Sequence, residues 1–292
     1  MKRIINNLNE INQWLHKPLP KNLTTNDDFM RHIIDLMNGT NYLLKTGCSL
    51  APSEKISNLG YTKHKAIIVG HMVRLAKLYQ GFLQHIAQRE LELSAIFCRL
   101  IYECTVMIEY FMQAKSTSFR SYILSSYKSV KHILNDYKKK KSLDPHEKKI
   151  KKMMIRRLKK DKISQKELFS NRRWKIDDKN FRDILRHLHR EHEYYYVFGE
   201  SSTFIHGSWY EMSIHNLNKS GCYYQPNLDF ETPDPRITLP ITLLSLEALY
   251  KFTKWNRSDP DCFILPIIEM SINKCHEINR LYSTDMYSNS TS

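Results

Sequence analysis

Ile67, Ile68, Met72, Leu75, Ala76, Tyr79, Leu83 and Ile86 recur at intervals of three and four residues, the period that lines one face of an α-helix. This spacing predicts a long helix opening at Thr62 and running to about Gln88. The segment that follows, LELSAIFCRLIYECTVMIEYFM from Leu91 to Met112, is apolar around almost its whole circumference. It reads as a helix over roughly Glu90 to Ala114 that is buried on several sides. Weaker amphipathic patterns predict helices from Arg3 to His16, ended by Pro18 and Pro20, and from the cap Asn26-Asp27-Asp28 to about Lys45. Asp177-Asp178 caps a helix that runs from Lys179 toward Gly199 or His206, and Thr238–Trp255 and Pro260–Tyr282 form two closing helices. Gly47, Pro52 and Gly60 mark a loop. The run SGCYYQPNLDFETPDP, within an irregular stretch from Gly207 to Pro235, predicts a long loop or a short hairpin.

Only 8 glycines and 10 prolines in 292 residues leave too few turn formers for a many-stranded sandwich. The fold class is therefore all-α: a helical bundle, read as a single domain over 1–292 with a frayed serine-rich tail at 284–292. A hydrophobic content of 41% suffices for a core.

Charge changes this picture at one place. The net +15 comes from 45 Lys+Arg against 30 Asp+Glu, but residues 115–176 alone hold 21 basic and 5 acidic residues, leaving 24 against 25 elsewhere. The whole excess lies in this lysine-rich helical insertion, expected as two helices broken near Leu143-Asp144-Pro145. Its densest runs hold Lys138, Lys139, Lys140 and Lys141, then Lys148, Lys149, Lys151, Lys152, Arg156 and Arg157. In the second run Ile150, Met154 and Leu158 fall on one side of a helix and most cations on the other. Such a face suits a nucleic-acid backbone, RNA before DNA, and Tyr122, Tyr127, Tyr137 and Trp174 flank it as rings on which bases could stack. Anionic lipid, an acidic protein or plain solvent are the alternatives.

The amino terminus has no continuous apolar run and no small-residue cleavage site, and the apolar stretch at Leu91–Met112 is interrupted by Arg99, Glu103 and Glu109. A cytoplasmic protein without a transmembrane segment is expected. Cys48, Cys98, Cys104, Cys222, Cys262 and Cys275 show no C-x-x-C pair and no zinc-finger spacing, so they read as reduced, mostly buried thiols. HLHREH has metal-capable spacing, but H-E-x-x-H is lacking and neither a metal nor a cofactor is expected.

Arg99 and Glu103 stand four residues apart on the apolar helix, close enough to pair on one face. An ion pair in such surroundings is either a structural clamp or part of a polar pocket that holds something else. The candidate for that something is in GESSTFIHGSWYE, Gly199 to Glu211, where Ser202 precedes His206 by one turn and Gly207 suits the left-handed residue after a helix end. As a working residue, His206 should lie within hydrogen-bond reach of Glu103 or Ser202, directly or through one water. As a helix-end residue it would merely face the terminal carbonyls.

An Arg-x-x-x-Glu on an apolar helix, a variable charged middle, Trp174, and a helix ending Ser202-x-x-x-His206-Gly207 together resemble a family of uncharacterised bacterial helical proteins, over roughly Thr62 to Ser208. The resemblance implies that Arg99, Glu103, Ser202 and His206 share one site. Arg182-Asp183-Ile184-Leu185-Arg186-His187, overlapping Arg186 to His192, further resembles the Arg-to-His motif of the HEPN superfamily of helical ribonucleases. That likeness implies metal-independent RNA cleavage by a homodimer, with His187 or His206 moving protons and Arg182 or Arg99 on the phosphate. It also implies a role as a toxin or antiphage defence effector, with a neutralising or sensor protein as partner. Residues five apart on a helix are about 140° apart, so the same-face sets there are Arg182, Arg186 and His189, and Asp183, His187 and Glu191. Three readings stand: a ribonuclease, a non-catalytic nucleic-acid-binding module, and a structural subunit of a protein complex.

Overall fold

The computed structural model describes residues 2–20, 23–50, 60–171, 174–259 and 263–289. Residues 1–112 and 192–292 form one compact unit, and residues 113–191 form another. Among the described residues the chain is helical apart from one small hairpin, an all-α architecture. No helix among the described residues is long and apolar enough to cross a membrane.

The first unit begins with α1 (Lys2–Leu15), α2 (Asn26–Ser49), α3 (Lys63–Ala87) and α4 (Leu91–Gln113). Thr25, rather than Asn26, is the cap of α2: its hydroxyl accepts from the Asp28 amide while Asp28 reaches back to the Thr25 amide, satisfying two donors at once. The expected loop at Pro52 lies outside the described residues. Thr62 and Gln88 flank α3, as the apolar period predicts.

The second unit holds α5 (Ser116–Ser125), α6 (Lys128–Lys139), α7 (Pro145–Lys160), α8 (Gln165–Ser170) and α9 (Phe181–His187). Asp144 caps α7 in a capping box with Glu147, and Pro145 follows in the first turn, where its missing N–H leaves no intrahelical bond unmade. A small core of Leu134, Met154, Leu158, Ile163 and Leu168 holds the unit together. Arg120 braces it, with Nη2 donating to both oxygens of Glu167 at 2.6 and 2.7 Å and Nη1 donating to the Asp161 carbonyl at 3.0 Å. Lys131 Nζ caps the carbonyls of Phe169 and Asn171 at 3.0 and 2.7 Å.

The chain returns to the first unit through a π-helical turn (Tyr194–Gly199), α10 (Glu200–His206), α11 (Trp209–His215), the antiparallel hairpin β1 (Leu217–Ser220) and β2 (Tyr223–Pro226), then α12 (Pro235–Asn256) and α13 (Leu265–Asn289). Phe29, Tyr79, Phe82, Tyr102, Phe111 and Phe252 fill its centre. The Tyr79 hydroxyl finds Thr242 Oγ1 at 2.9 Å, so the buried phenol keeps a partner.

Three expectations from the sequence are corrected here. Gly47 is not in a loop: α2 continues through it, because a Cβ there would stand 2.5 Å from Leu249 Cδ1 on α12. The glycine serves close approach of two helices, not a turn. The helix expected from an Asp177-Asp178 cap toward His206 is several pieces. Asn180 is the cap, Asp177 and Asp178 have φ of 50° and 61°, and His189 at φ 58° breaks the chain after α9. With α9 ending at His187, the two same-face sets do not form as continuous stripes. The stretch after Gly207, expected as irregular, begins with α11, capped by Ser208 Oγ accepting from the Glu211 amide at 3.2 Å. The tail remains helical to Asn289, and 290–292 lie outside the described residues.

Burial raises the thiols of Cys48 and Cys104 to about 11, and those of Cys98 and Cys275 to about 12. Cys222 is exposed beside Gly221 in the hairpin turn. Cys262 lies outside the described residues.

Candidate active site

α4 is stapled at two points to the segment that follows residue 192. The Tyr102 hydroxyl donates to Glu193 Oε2 at 2.8 Å, just before the π-helical turn. Arg99 Nη1 donates to Ser202 Oγ at 2.5 Å on α10, and Arg99 Nε donates to Glu103 Oε1 at 3.2 Å. Residues 99, 102 and 103 lie within one turn and one side of α4, so the two staples fix this segment against a single face of it. The wider turn at Tyr194–Gly199 sits between them, and such insertions recur at functional sites because they re-aim the side chains that follow.

Arg99 and Glu103 do pair, but not inside the core. Their side chains are 17% and 37% exposed, so the pair sits at the edge of the apolar helix, where charge is desolvated less. Ser202 is brought to Arg99 by the hydrogen bond from Nη1. His206 is placed differently from Ser202. It closes α10, one turn beyond Ser202, with an exposed ring and no hydrogen bond to Glu103 or Ser202 among the described residues. Gly207 follows at φ 57° and ψ 56°, its amide donating to the Thr203 carbonyl at 3.1 Å, the left-handed helix end that the sequence predicts. Ser202 and His206 stand four residues apart on α10, a spacing that makes their side chains neighbours along one face.

Exposed rings surround this helix end in the sequence: Tyr195, Tyr196, Trp209 and Tyr210, with Tyr196 and Tyr210 79% and 71% exposed. Trp209 meets Tyr224 of the hairpin edge-on, with centroids 5.5 Å apart. His215 of α11 packs on Phe204, and its Nδ1 lies 3.0 Å from Glu231 Oε1 without hydrogen-bond alignment. Sequence reasoning passed over α11 and its rings. The available signal was Ser208-x-x-Glu211, a helix-start pattern.

The other arginine–histidine candidate is built differently. Arg182 Nε donates to Glu191 Oε1 at 2.9 Å, and Arg186 grips Glu191 with Nε at 3.0 Å and Nη2 at 2.8 Å while also meeting Asp183 at 3.2 Å. Arg186 hydrogen bonds and charge hold the Glu191 carboxyl below its ordinary range, with Arg182 adding to the effect. Both guanidinium groups face one carboxylate. His187 ends α9 with an exposed side chain. Among the described residues no three His, Cys, Asp or Glu side chains converge as metal ligands, and the HLHREH run is broken by the left-handed residue His189.

In the second unit Lys138 lies 3.4 Å from the centroid of the Phe169 ring, Lys139 is 3.6 Å from Asp136, and Lys140 pairs with Glu147. Lys141, Lys148, Lys149, Lys152, Arg156 and Arg157 are exposed, and Lys151 is half-buried. The rings expected to stack on bases are half-buried too, and Tyr127 and Trp174 pack against the unit's own core.

An all-α protein whose candidate site joins one long apolar helix to the end of a short one is what the fold and geometry define. Residues 65–222 match the model of a family described as a family of unknown function (DUF5677), and the chain belongs to that family. The matched region includes Arg99, Glu103, Ser202, His206 and the entire second unit. No curated protein and no solved structure matches the chain.

Proposed function

We propose that the protein acts on RNA as a metal-independent endoribonuclease, with Arg99, Ser202 and His206 at its centre. The observation that carries this reading is the Arg99 Nη1 to Ser202 Oγ bond one helical turn from the exposed His206 ring. Ser202 and Glu103 hold the guanidinium, and the imidazole one turn along α10 from Ser202 is open to solvent. RNA supplies its own nucleophile, so the protein has only to move protons and stabilise charge. His206 takes the proton of a 2′-hydroxyl as its oxygen bonds to phosphorus, and the P–O5′ bond breaks to leave a 2′,3′-cyclic phosphate. The 5′-oxygen leaves with a proton from the imidazolium or from water. Arg99 stabilises the charge that accumulates on the phosphoryl oxygens. Ser202 and Glu103 orient Arg99, and Tyr196 and Tyr210 offer faces on which unpaired bases stack. The Arg182–His187 pair is the weaker candidate, because its members stand five residues apart on α9, about 140° around the helix axis.

The test is cleavage of total RNA in EDTA by wild type and by His206→Ala. The variant should lose about 10²–10⁴-fold in rate while melting as wild type does. Full activity in His206→Ala, joined to a loss of up to ~2 kcal/mol in stability, would instead mark a helix-end residue.

A further inference from the structure

We infer that a groove along α7 is a sequence-blind clamp for the sugar–phosphate backbone of RNA. The groove has a volume of about 510 Å³ and is lined by Leu143, Lys148, Lys151, Lys152, Ile155, Arg156 and Lys159. From 148 to 159 these positions follow one another by three or four residues in two adjacent rows, so they form one continuous stripe of the helix. The opposite stripe is already committed, since Met154 and Leu158 are buried with Leu134, Ile163 and Leu168, and Ile150 packs against them.

The five cations in the groove have no carboxylate partner among the described residues, and the acids near them account for this. Between residues 115 and 176 there are five acidic side chains, and each is engaged elsewhere. Asp136 meets Lys139, Asp144 caps α7, and Glu147 pairs with Lys140. Asp161 accepts from Tyr127 at 2.5 Å, and Glu167 accepts from Arg120. The groove therefore presents five cationic side chains to which no carboxylate is paired among the described residues. Five such charges over twelve residues span about 16 Å of helix, and a polyanion laid along them gains by releasing its own counterions.

Two observations choose the ligand. Among the described residues no aromatic ring lines the groove, so it holds backbone and not bases, and its affinity does not depend on sequence. A lipid surface is disfavoured because a membrane-bound amphipathic helix inserts its apolar face, and the apolar face of α7 is buried in its own unit. The choice of RNA among polyanions rests on the ribonuclease reading; the groove itself does not.

The experiment is a salt titration of binding to a uridine homopolymer and to a mixed-sequence RNA, in EDTA, with cleavage followed in the same samples. Wild type should give a log–log slope of at least about −3.5 on single strands if all five cations meet phosphates. The variant K148Q/K151Q/K152Q/R156Q/K159Q should lose about 3 to 4 units of that slope, with helicity preserved because Gln is a good helix former. A companion variant of equal chemistry off the groove, K149Q/R157Q/K160Q, should change the slope by much less. Equal affinity for the two RNAs supports the clamp. Equal loss of slope in both variants, an unchanged slope in the fivefold variant, or a strong sequence preference lost with the groove would each overturn it. Competition by phosphatidylserine vesicles or by polyglutamate as effective as by RNA would overturn the choice of ligand. Groove-dependent binding by a protein that cuts nothing would defeat the ribonuclease reading alone, and intact cleavage with groove-independent binding would defeat the clamp alone.

Discussion

Arg99 on α4 and Ser202 on α10 are 103 residues apart in the chain and are joined by a 2.5 Å hydrogen bond. The same guanidinium binds Glu103 in its own helix. One side chain thus links a local pair to the segment that returns after the second unit.

The exposure of that pair sets the cost of breaking it. Removing one member of a fully buried pair typically costs about 3–5 kcal/mol, but a pair with one partner 37% exposed is screened by water. Glu103→Ala should therefore destabilise the protein by about 1 kcal/mol in urea unfolding. A loss above about 3 kcal/mol would mean that the pair is shielded from solvent more completely than its surface area indicates.

His71 provides a pH dependence. Its ring stacks on Phe111 with centroids 5.9 Å apart, and burial, with the nearby Arg74 charge adding to it, pushes its pKa down from 6.5 to about 4. Between these values the unfolded chain holds more proton than the folded one, so folding stability rises with pH across the window. The contribution is complete above pH 6.5 and is lost as pH falls to about 4, a swing of about 3 kcal/mol. Comparing wild type with His71→Gln by urea unfolding at pH 4.5 and 7 should isolate it. Parallel stability curves for the two proteins would contradict this assignment.

Glu191 masks two cations. In Glu191→Gln, Arg182 and Arg186 lose the carboxylate that both now face. The expected outcome is tighter, sequence-independent RNA binding, with the salt slope steeper by about 0.7 for each phosphate gained. Filter binding at two salt concentrations would show it, and weaker binding would imply that the arginine–glutamate knot organises a needed structure instead.

Much of this molecule is legible in its sequence because periodicity records burial. The eight apolar positions from Ile67 to Ile86 all fall on α3, and Asp144-Pro145 marks the start of α7 as the capping chemistry requires. The link between Arg99 and Ser202 was approachable too, since each stands at a four-residue interval from a second polar residue, Glu103 and His206. What the sequence did not yield is conformational. Left-handed residues at Asp177, Asp178 and His189 are not forced by residue type, so a charged run that looked helical became short pieces. The depth of Arg99 was likewise hidden, because a helix apolar all round gives no indication of which edge reaches water.

The positions of the sulfur atoms give the hairpin a chemical address. Four described cysteines carry thiols that burial raises to about 11 or 12, so at pH 8 roughly one in a thousand of those near 11, and fewer of those near 12, is present as the thiolate that attacks an alkylating reagent. Cys222 stands in the open turn between β1 and β2. Among the described cysteines, a maleimide dye meets that turn before any other sulfur. The tip next to Tyr223 and Tyr224 can therefore carry a fluorophore while the helical core stays unlabelled.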